Sequence, residues 1–302
     1  MSARDGATGA AGTGAGARTG AGRGVPSRAA AFRALHHRDR PLLLPNAWDH
    51  ASAAALHRAG FEAVGTTSLG VAAAAGLPDG AGAARAETLA LGTRLARLPV
   101  PVSVDVEGGF SSDPAEVAYL AAELAEAGVA GINLEDGRPD GTLVPVARQC
   151  AVLRAVREAA PGLFLNARTD THWSGAEPTV PAALARARAY VGAGADGVFV
   201  PALVADADVA ALVDGLRAAG AGVPDTPLNV LFAPARHTYE RLAELGVRRV
   251  SCGSSLFRAA VRQAVDLARW VRDPDADPGP VPDYAEAQSW AEPWEAPGGA
   301  AG

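Results

Sequence analysis

Short β-rich runs alternate with stretches of helical spacing through the middle of the chain. The runs are LLLP (42–45), EAVGTT (62–67), VPVSVDVE (100–107), VAGINLED (129–136), LFLNART (163–169), DGVFVPA (196–202), PLNVLFA (227–233) and VRRVSCG (247–253). Their β-branched and apolar residues predict buried strands. Helical patterns follow them at about 50–59, 84–97, 114–127, 146–159, 179–193, 204–219, 236–245 and 254–271. The clearest is Asp113-Pro114 followed by AEVAYLAAELAEAG: an N-cap acid, proline in the first turn, apolar spacings of three and four, and a closing Gly128. Strand and helix alternating eight times fit a closed (β/α)8 barrel, which leaves no edge strand; an open doubly wound sheet is the alternative.

The polar exceptions to this pattern fall in one kind of place. Strand 100–107 ends in Asp105 and Glu107, with Gly108 and Gly109 behind them. Carboxylates disfavour strands and are costly to bury, so a pair followed by a flexible turn points to a hard cation or a substrate, against the simpler reading of a solvated strand end. Asn46, Trp48 and Asp49 follow the first run, Thr67, Ser68 and Leu69 the second, and Glu135 with Asp136 ends the fourth. Arg168 and Asp170 close the fifth, and Asn229 lies on the seventh. In a (β/α)8 barrel all of these reach the C-terminal rim, where such barrels keep their chemistry. Taken singly, each is a loop residue, and Arg168 is an ion-pair partner of Asp170.

Composition narrows the classes. Of 302 residues 20% are charged, with a formal net charge of −6, so no basic face for nucleic acid or an anionic membrane is implied. There is no lysine, which excludes Schiff-base chemistry on a side-chain amine. Cys150 and Cys252 have neither the number nor the spacing for a disulfide framework or a zinc site and are read as packed thiols. Without a long apolar run or a leader-like start, the expectation is a cytoplasmic protein. Residues 1–27 are a Gly/Ala-rich tail expected to be disordered, 28–272 the barrel, and 273–302 a Pro-rich tail in which a regular helix is not expected, docked by Trp290 and Trp294.

The segments PNAWDHASAAALHRAGFEAVGTTSLGVAAAAGLPD, VSVDVEGGFSSDP, GVAGINLEDG, LFLNARTD and PLNVLF resemble, in order and spacing, the isocitrate lyase/phosphoenolpyruvate mutase superfamily over about residues 40–265. The resemblance implies a (β/α)8 barrel, usually tetrameric with an exchanged eighth helix. It also implies C–C or P–C bond chemistry beside the carboxylate of a 2-oxo or 2-hydroxy acid, with Mg2+ or Mn2+ as cofactor. By the same resemblance Asp105, Glu107 and Glu135 hold the metal, with Glu107 where Asp is usual. Asp79 lies near the reacting end of the substrate, and Thr67 with the amides of Ser68 and Leu69 holds its carboxylate. Arg168 neutralises developing oxyanion charge, Asn229 touches substrate, and Trp48 lines the pocket.

Departures from the family pattern are equally specific. Family lyases carry a Lys-Lys/Arg-Cys-Gly-His loop after the Glu-Asp motif, where this chain has GRPDGTLVP (137–145). The Lys and Asn of the mutase and phosphonopyruvate hydrolase branch are absent too, and Pro201 replaces a Glu or His on strand six. The expectation is therefore a Mg2+-dependent lyase cleaving or decarboxylating a small 2-oxo or 2-hydroxy acid. Phosphonate P–C chemistry is second, and a non-catalytic carboxylate-binding barrel third.

Overall fold

The computed structural model describes residues 27–218, 226–273 and 279–291. Among them, nine strand segments form one parallel sheet: β1 (Leu42–Leu44), β2 (Asn46–Ala47), β3 (Val64–Thr66), β4 (Val102–Asp105), β5 (Gly131–Glu135), β6 (Phe164–Arg168), β7 (Gly197–Phe199), β8 (Leu228–Leu231) and β9 (Arg249–Ser251). β1 and β2 are two halves of one strand, broken at Pro45, which has no N–H to give to a ladder. β1 pairs with β9 and β2 with β3, so the break lets one strand reach both neighbours and the sheet closes as the expected barrel. The open doubly wound sheet is thereby set aside.

The helices are α1 (Arg28–Leu35), α2 (His50–Arg58), α3 (Ser68–Ala74), α4 (Arg85–Leu95), α5 (Pro114–Glu126), α6 (Val146–Ala159), α7 (Val180–Gly192), α8 (Asp206–Arg217), α9 (Tyr239–Glu244), α10 (Ser255–Arg272) and α11 (Tyr284–Ser289). Strand residues alternate between two environments, as a two-residue period requires. Val102, Val104, Ile132, Leu134, Leu165 and Ala167 pack outward in one core with α4 to α7, and Val198, Val200, Leu228, Val230 and Val250 in a second with α7 to α9. The opposite set fills the barrel. At its N-terminal mouth, Phe32 and Leu35 of α1 plug the interior against Leu42, Leu44 and Phe164, and the Phe32 and Phe164 rings meet edge to face at 5.3 Å.

The expected helices are found, most of them shortened at their ends, though α6 spans the whole of 146–159 and α10 runs on to Arg272; the last residue of the one expected over 204–219 lies outside the described residues. α1 and α3 were not expected. The tail is corrected in one respect: α11 forms between the prolines rather than across them, with Asp283 accepting from the N–H of Glu286 at 2.8 Å. Arg58 at the end of α2 donates to Ser289 Oγ at 2.6 Å and to the Ser289 carbonyl, which seats this helix on the body beside a half-buried Trp290. Trp294 and residues 1–26 lie outside the described residues.

Candidate active site

Asp105, Glu135 and Arg168 end β4, β5 and β6, and each side chain faces the C-terminal mouth. They share a cavity of about 500 Å³ with Thr67, Ser68, Leu69 and Asp79 from the βα loops. A larger cavity, about 620 Å³, opens at the opposite end of the barrel among Arg38, Asp39, Arg40, Glu62 and Tyr239, where Arg38 and Arg40 are held in exposed ion pairs with Glu62 and Glu240. The acids and the arginine expected from the sequence converge at the C-terminal rim.

Arg168 is the centre of the wall. Its register partner on β5 is Glu135, and the guanidinium Nη1 lies 2.6 Å from Glu135 Oε2. Its Nε and Nη2 fork onto the two oxygens of Asp170 at 2.6 and 3.0 Å. Asp170 is braced in turn, its N–H donating to Asp136 Oδ1 at 2.8 Å. Asp136 is fully buried and accepts from Tyr190 Oη at 2.6 Å and Arg186 Nη1 at 3.3 Å. Gly137 lets the loop pass this close: a Cβ there would stand 2.3 Å from Asp170 Oδ2. A rigid chain of partners thus fixes the direction of the Arg168 fork.

The acids repel one another. Burial pushes the Glu135 carboxyl up to about 8, with the charges of Asp105, Asp170 and Glu107 adding and Arg168 opposing. Burial also raises Asp79, against a hydrogen bond from Ser68, and the charge of Asp105 raises it further. Asp105 makes no ion pair among the described residues; its Oδ1 accepts from Asn133 Nδ2 at 3.3 Å, and Asn166 Nδ2 donates to Asn133 Oδ1 at 3.0 Å.

Glu107 is placed differently from the other two expected metal ligands. Its backbone takes a left-handed conformation, φ 49°, as the chain turns through Gly108 and Gly109. The side chain enters a neighbouring cleft of about 300 Å³, where Oε2 accepts from the Gly82 N–H at 3.1 Å and Oε1 is buried without a partner. Glu135 and the first residues of the 137–145 loop border both spaces. Among the described residues no three His, Cys, Asp or Glu side chains stand close enough to form a metal cluster. The donor chemistry nevertheless fits a hard cation: oxygen-only ligands, an Asp105 without an ion pair, an orphaned Glu107 oxygen, and carboxylates raised chiefly by burial and further by one another's charge.

Thr67 precedes α3, its side chain making no cap hydrogen bond, so the first-turn amides of Ser68 and Leu69 face the cavity unclaimed by the helix. Trp48 is not on the wall; it packs on Phe257 with ring centroids 5.5 Å apart. Asn229 is 1% exposed, on β8 inside the barrel below the cavity, with neither amide atom bonded. Residues not expected here complete the wall: Arg138, Trp173, Ser174, Phe199, Pro201, Leu231, Ser254 and Arg258. Trp173 and Phe199 flank Arg168, whose guanidinium carbon lies 5.9 and 5.7 Å from their ring centroids. Trp173 stands five residues past the strand-end arginine, a spacing that could have placed it on the rim. Arg258 carries no such signal, since it reads as one more polar position on α10. Among the described residues the wall holds no cysteine or histidine. Cys150 is buried in α6, its Sγ donating to the Ala189 carbonyl at 3.5 Å, and burial raises the thiol.

A family model, phosphoenolpyruvate phosphomutase, matches residues 32–272. An uncharacterised protein of Mycobacterium tuberculosis is 41% identical over 258 residues, covering 85% of this chain and 95% of that protein. The 2-methylisocitrate lyase of Bacillus subtilis is 34% identical over 184 residues, 58% of this chain and 60% of the lyase. Among solved structures, a Burkholderia cenocepacia protein provisionally assigned as a phosphonomutase superposes with TM-score 0.74 at 39% identity, covering 80% of this chain and 99% of that one. The fold alone is shared with oxaloacetate acetylhydrolase, TM-score 0.75 at 23% identity over 87% of this chain and 93% of that one. The chain belongs to the phosphoenolpyruvate mutase/isocitrate lyase superfamily.

Proposed function

We propose that the protein is a Mg2+-dependent lyase that cleaves or decarboxylates a small 2-oxo or 2-hydroxy carboxylic acid through an enolpyruvate-like intermediate. The observation that carries this reading is Arg168, presented to the cavity with its direction fixed by Glu135 and Asp170, across from the free first-turn amides of α3. The substrate carboxylate is held by Thr67 and the amides of Ser68 and Leu69. Mg2+ or Mn2+, bound through Asp105 with Glu135 and, through water, Glu107, would supply Lewis-acid stabilisation of charge on the substrate oxygens. Arg168 opposes the negative charge that grows on the 2-oxo oxygen as the bond breaks. Asp79, whose carboxyl is raised by desolvation at the cavity edge, exchanges the proton at the reacting carbon. Decarboxylation needs no base in its cleavage step, which suits a wall without cysteine, histidine or lysine.

P–C bond chemistry is the second reading, supported by the match to the phosphomutase model and to the provisional phosphonomutase. The deciding experiment is a panel of oxaloacetate, alkylmalates, 2-methylisocitrate and phosphonopyruvate with Mg2+ or Mn2+, read by pyruvate release. Turnover of a C–C substrate supports the lyase, turnover of phosphonopyruvate alone supports the second reading, and tight binding without turnover supports a carboxylate-binding barrel. A cytoplasmic homotetramer is part of the proposal. Its support is α10, which buries no residue in the single chain and leaves Val261, Val265 and Trp270 exposed at 48, 42 and 37%.

A further inference from the structure

Beneath the site, the barrel interior is polar where barrels of this kind are usually packed with branched aliphatic side chains. Arg249 of β9 points inward with 3% exposure, paired in register with Asn229 of β8. A guanidinium offers five N–H donors and no acceptor. Among the described residues Nε and Nη1 have no hydrogen-bond partner, and both are sealed from solvent. Below lies the apolar plug, with the Phe32 ring 5.9 Å from the guanidinium carbon. Above lies Asp105, whose charge is the one that favours the buried cation. Two further groups of the same interior are orphaned: both amide atoms of Asn229, and Ser103 Oγ, two residues before Asp105 on β4.

Buried polar atoms without partners are satisfied by enclosed water, each molecule making two to four hydrogen bonds. Ser103, Asn229 and Arg249 provide unpartnered donors and acceptors on the inner side of β4, β8 and β9, and the Asp105 carboxylate is the acceptor in which such a network can end. We propose that Arg249 is a positioning residue of the site, holding the Asp105 carboxylate from inside the barrel through ordered water enclosed by Ser103, Asn229 and Arg249. Asn133, which already donates to Asp105 Oδ1, fixes the same carboxylate from the β5 side. The inference rests on the role given to Asp105 above, and it adds a group with no contact to the cavity.

The first test is a high-resolution crystal structure of the full-length apo protein, with a second crystal grown in bromide. Water within hydrogen-bond distance of both Arg249 and Asp105 is expected. A dry layer, or an anomalous bromide peak on Arg249, overturns the proposal. The second test compares Arg249→Met and Arg249→Lys by Mn2+ affinity, from the paramagnetic signal of free Mn2+, alongside the melting temperature. Outer-sphere partners of this kind are worth about 10- to 100-fold in metal affinity, so the methionine variant is expected to lose at least about tenfold and the lysine variant less. A folded methionine variant that melts earlier yet binds Mn2+ as wild type does would make Arg249 a fold residue only. If the methionine variant does not fold, the lysine variant is read instead, and unchanged affinity there overturns the proposal. A wild-type protein that binds no Mn2+ refutes the metal in the proposed function, and the water network then decides Arg249 on its own.

Discussion

Arg168 braces the rim and, in the proposed function, also serves the chemistry, and the two roles can be measured apart. Arg168→Lys keeps a positive charge but cannot hold Glu135 and both oxygens of Asp170 at once. If its charge matters most in the transition state, kcat falls by about 100-fold with a smaller change in KM. If it only braces the rim, the variant melts earlier while turnover and oxalate binding stay near wild type, and that pair of measurements removes Arg168 from the chemistry. The cysteines are the converse case. Cys150→Ser and Cys252→Ser are expected to keep most turnover, since neither lines the cavity and burial raises both thiols away from the reactive thiolate. Loss of activity in a folded Cys150→Ser would show that the acid missing from the 137–145 loop had moved. The charged part of the wall was legible because strand-end polar residues break an apolar pattern: Asp105, Glu135, Arg168 and the Thr67-Ser68-Leu69 turn all reach it. Glu107 was not, since its outcome depends on one left-handed residue at a turn, where a rotation of φ sends the side chain into the next cleft. Trp48 packs on Phe257 instead of the wall, and Asn229 faces the barrel interior below the cavity; side-chain direction and depth along the strand make these distinctions, and residue type does not.

Among the elements, the strands were legible because parallel barrel strands are buried on both faces and carry runs of branched residues. α3 was missed because SLGVAAA is seven residues long with no capping side chain, and α1 because its alternation of Ala and Arg hides the two residues, Phe32 and Leu35, that plug the barrel. Phe32→Ala is expected to cost about 3–5 kcal/mol, read by denaturant unfolding, because Phe32 is fully buried against Phe164 and His36. A cost under 1 kcal/mol would mean that α1 does not close the barrel. α10 has the opposite character: beyond Phe257, which packs on Trp48, it leaves Val261, Val265 and Trp270 exposed along one helix. Val261→Asp with Val265→Asp places two charges there, and light scattering is expected to show the proposed tetramer dissociating while circular dichroism stays that of a folded barrel. An unchanged mass would leave α10 exposed for some other reason.

Across the whole molecule, two sets of buried groups pull the pH optimum from opposite sides. His36 lies under the barrel, stacked on Phe164 at 4.2 Å, its Nδ1 hydrogen-bonded to the Phe32 carbonyl at 2.8 Å; burial lowers its pKa from 6.5 to about 3. Between those values the unfolded chain binds a proton that the folded chain does not, so stability is lost as pH falls from about 6.5 toward 3. The rim acids act in the other sense. Burial raises Asp79, Glu107 and Glu135 above their unfolded values of 3.8 and 4.5, Glu135 to about 8. Over that range the folded chain keeps protons that the unfolded chain has released, so their contribution is full below the unfolded values and fades as pH rises toward about 8. Only the acid set acts above 6.5, and there the metal-free protein should melt at progressively lower temperature up to pH 8. Glu135→Gln is expected to flatten that limb, and His36→Gln to remove the stability loss that His36 contributes below 6.5, where the acid set acts in the opposite sense. A divalent cation binds the ionised carboxylates, so Mg2+ should raise the melting temperature more at pH 8 than at pH 6, and Asp105→Ala should abolish that rise. A metal-free melting temperature that climbs between pH 6.5 and 8, or a Mg2+ effect equal at both pH values, would mean that the rim carboxylates are not the strained cluster described and that the cation, if bound, sits elsewhere.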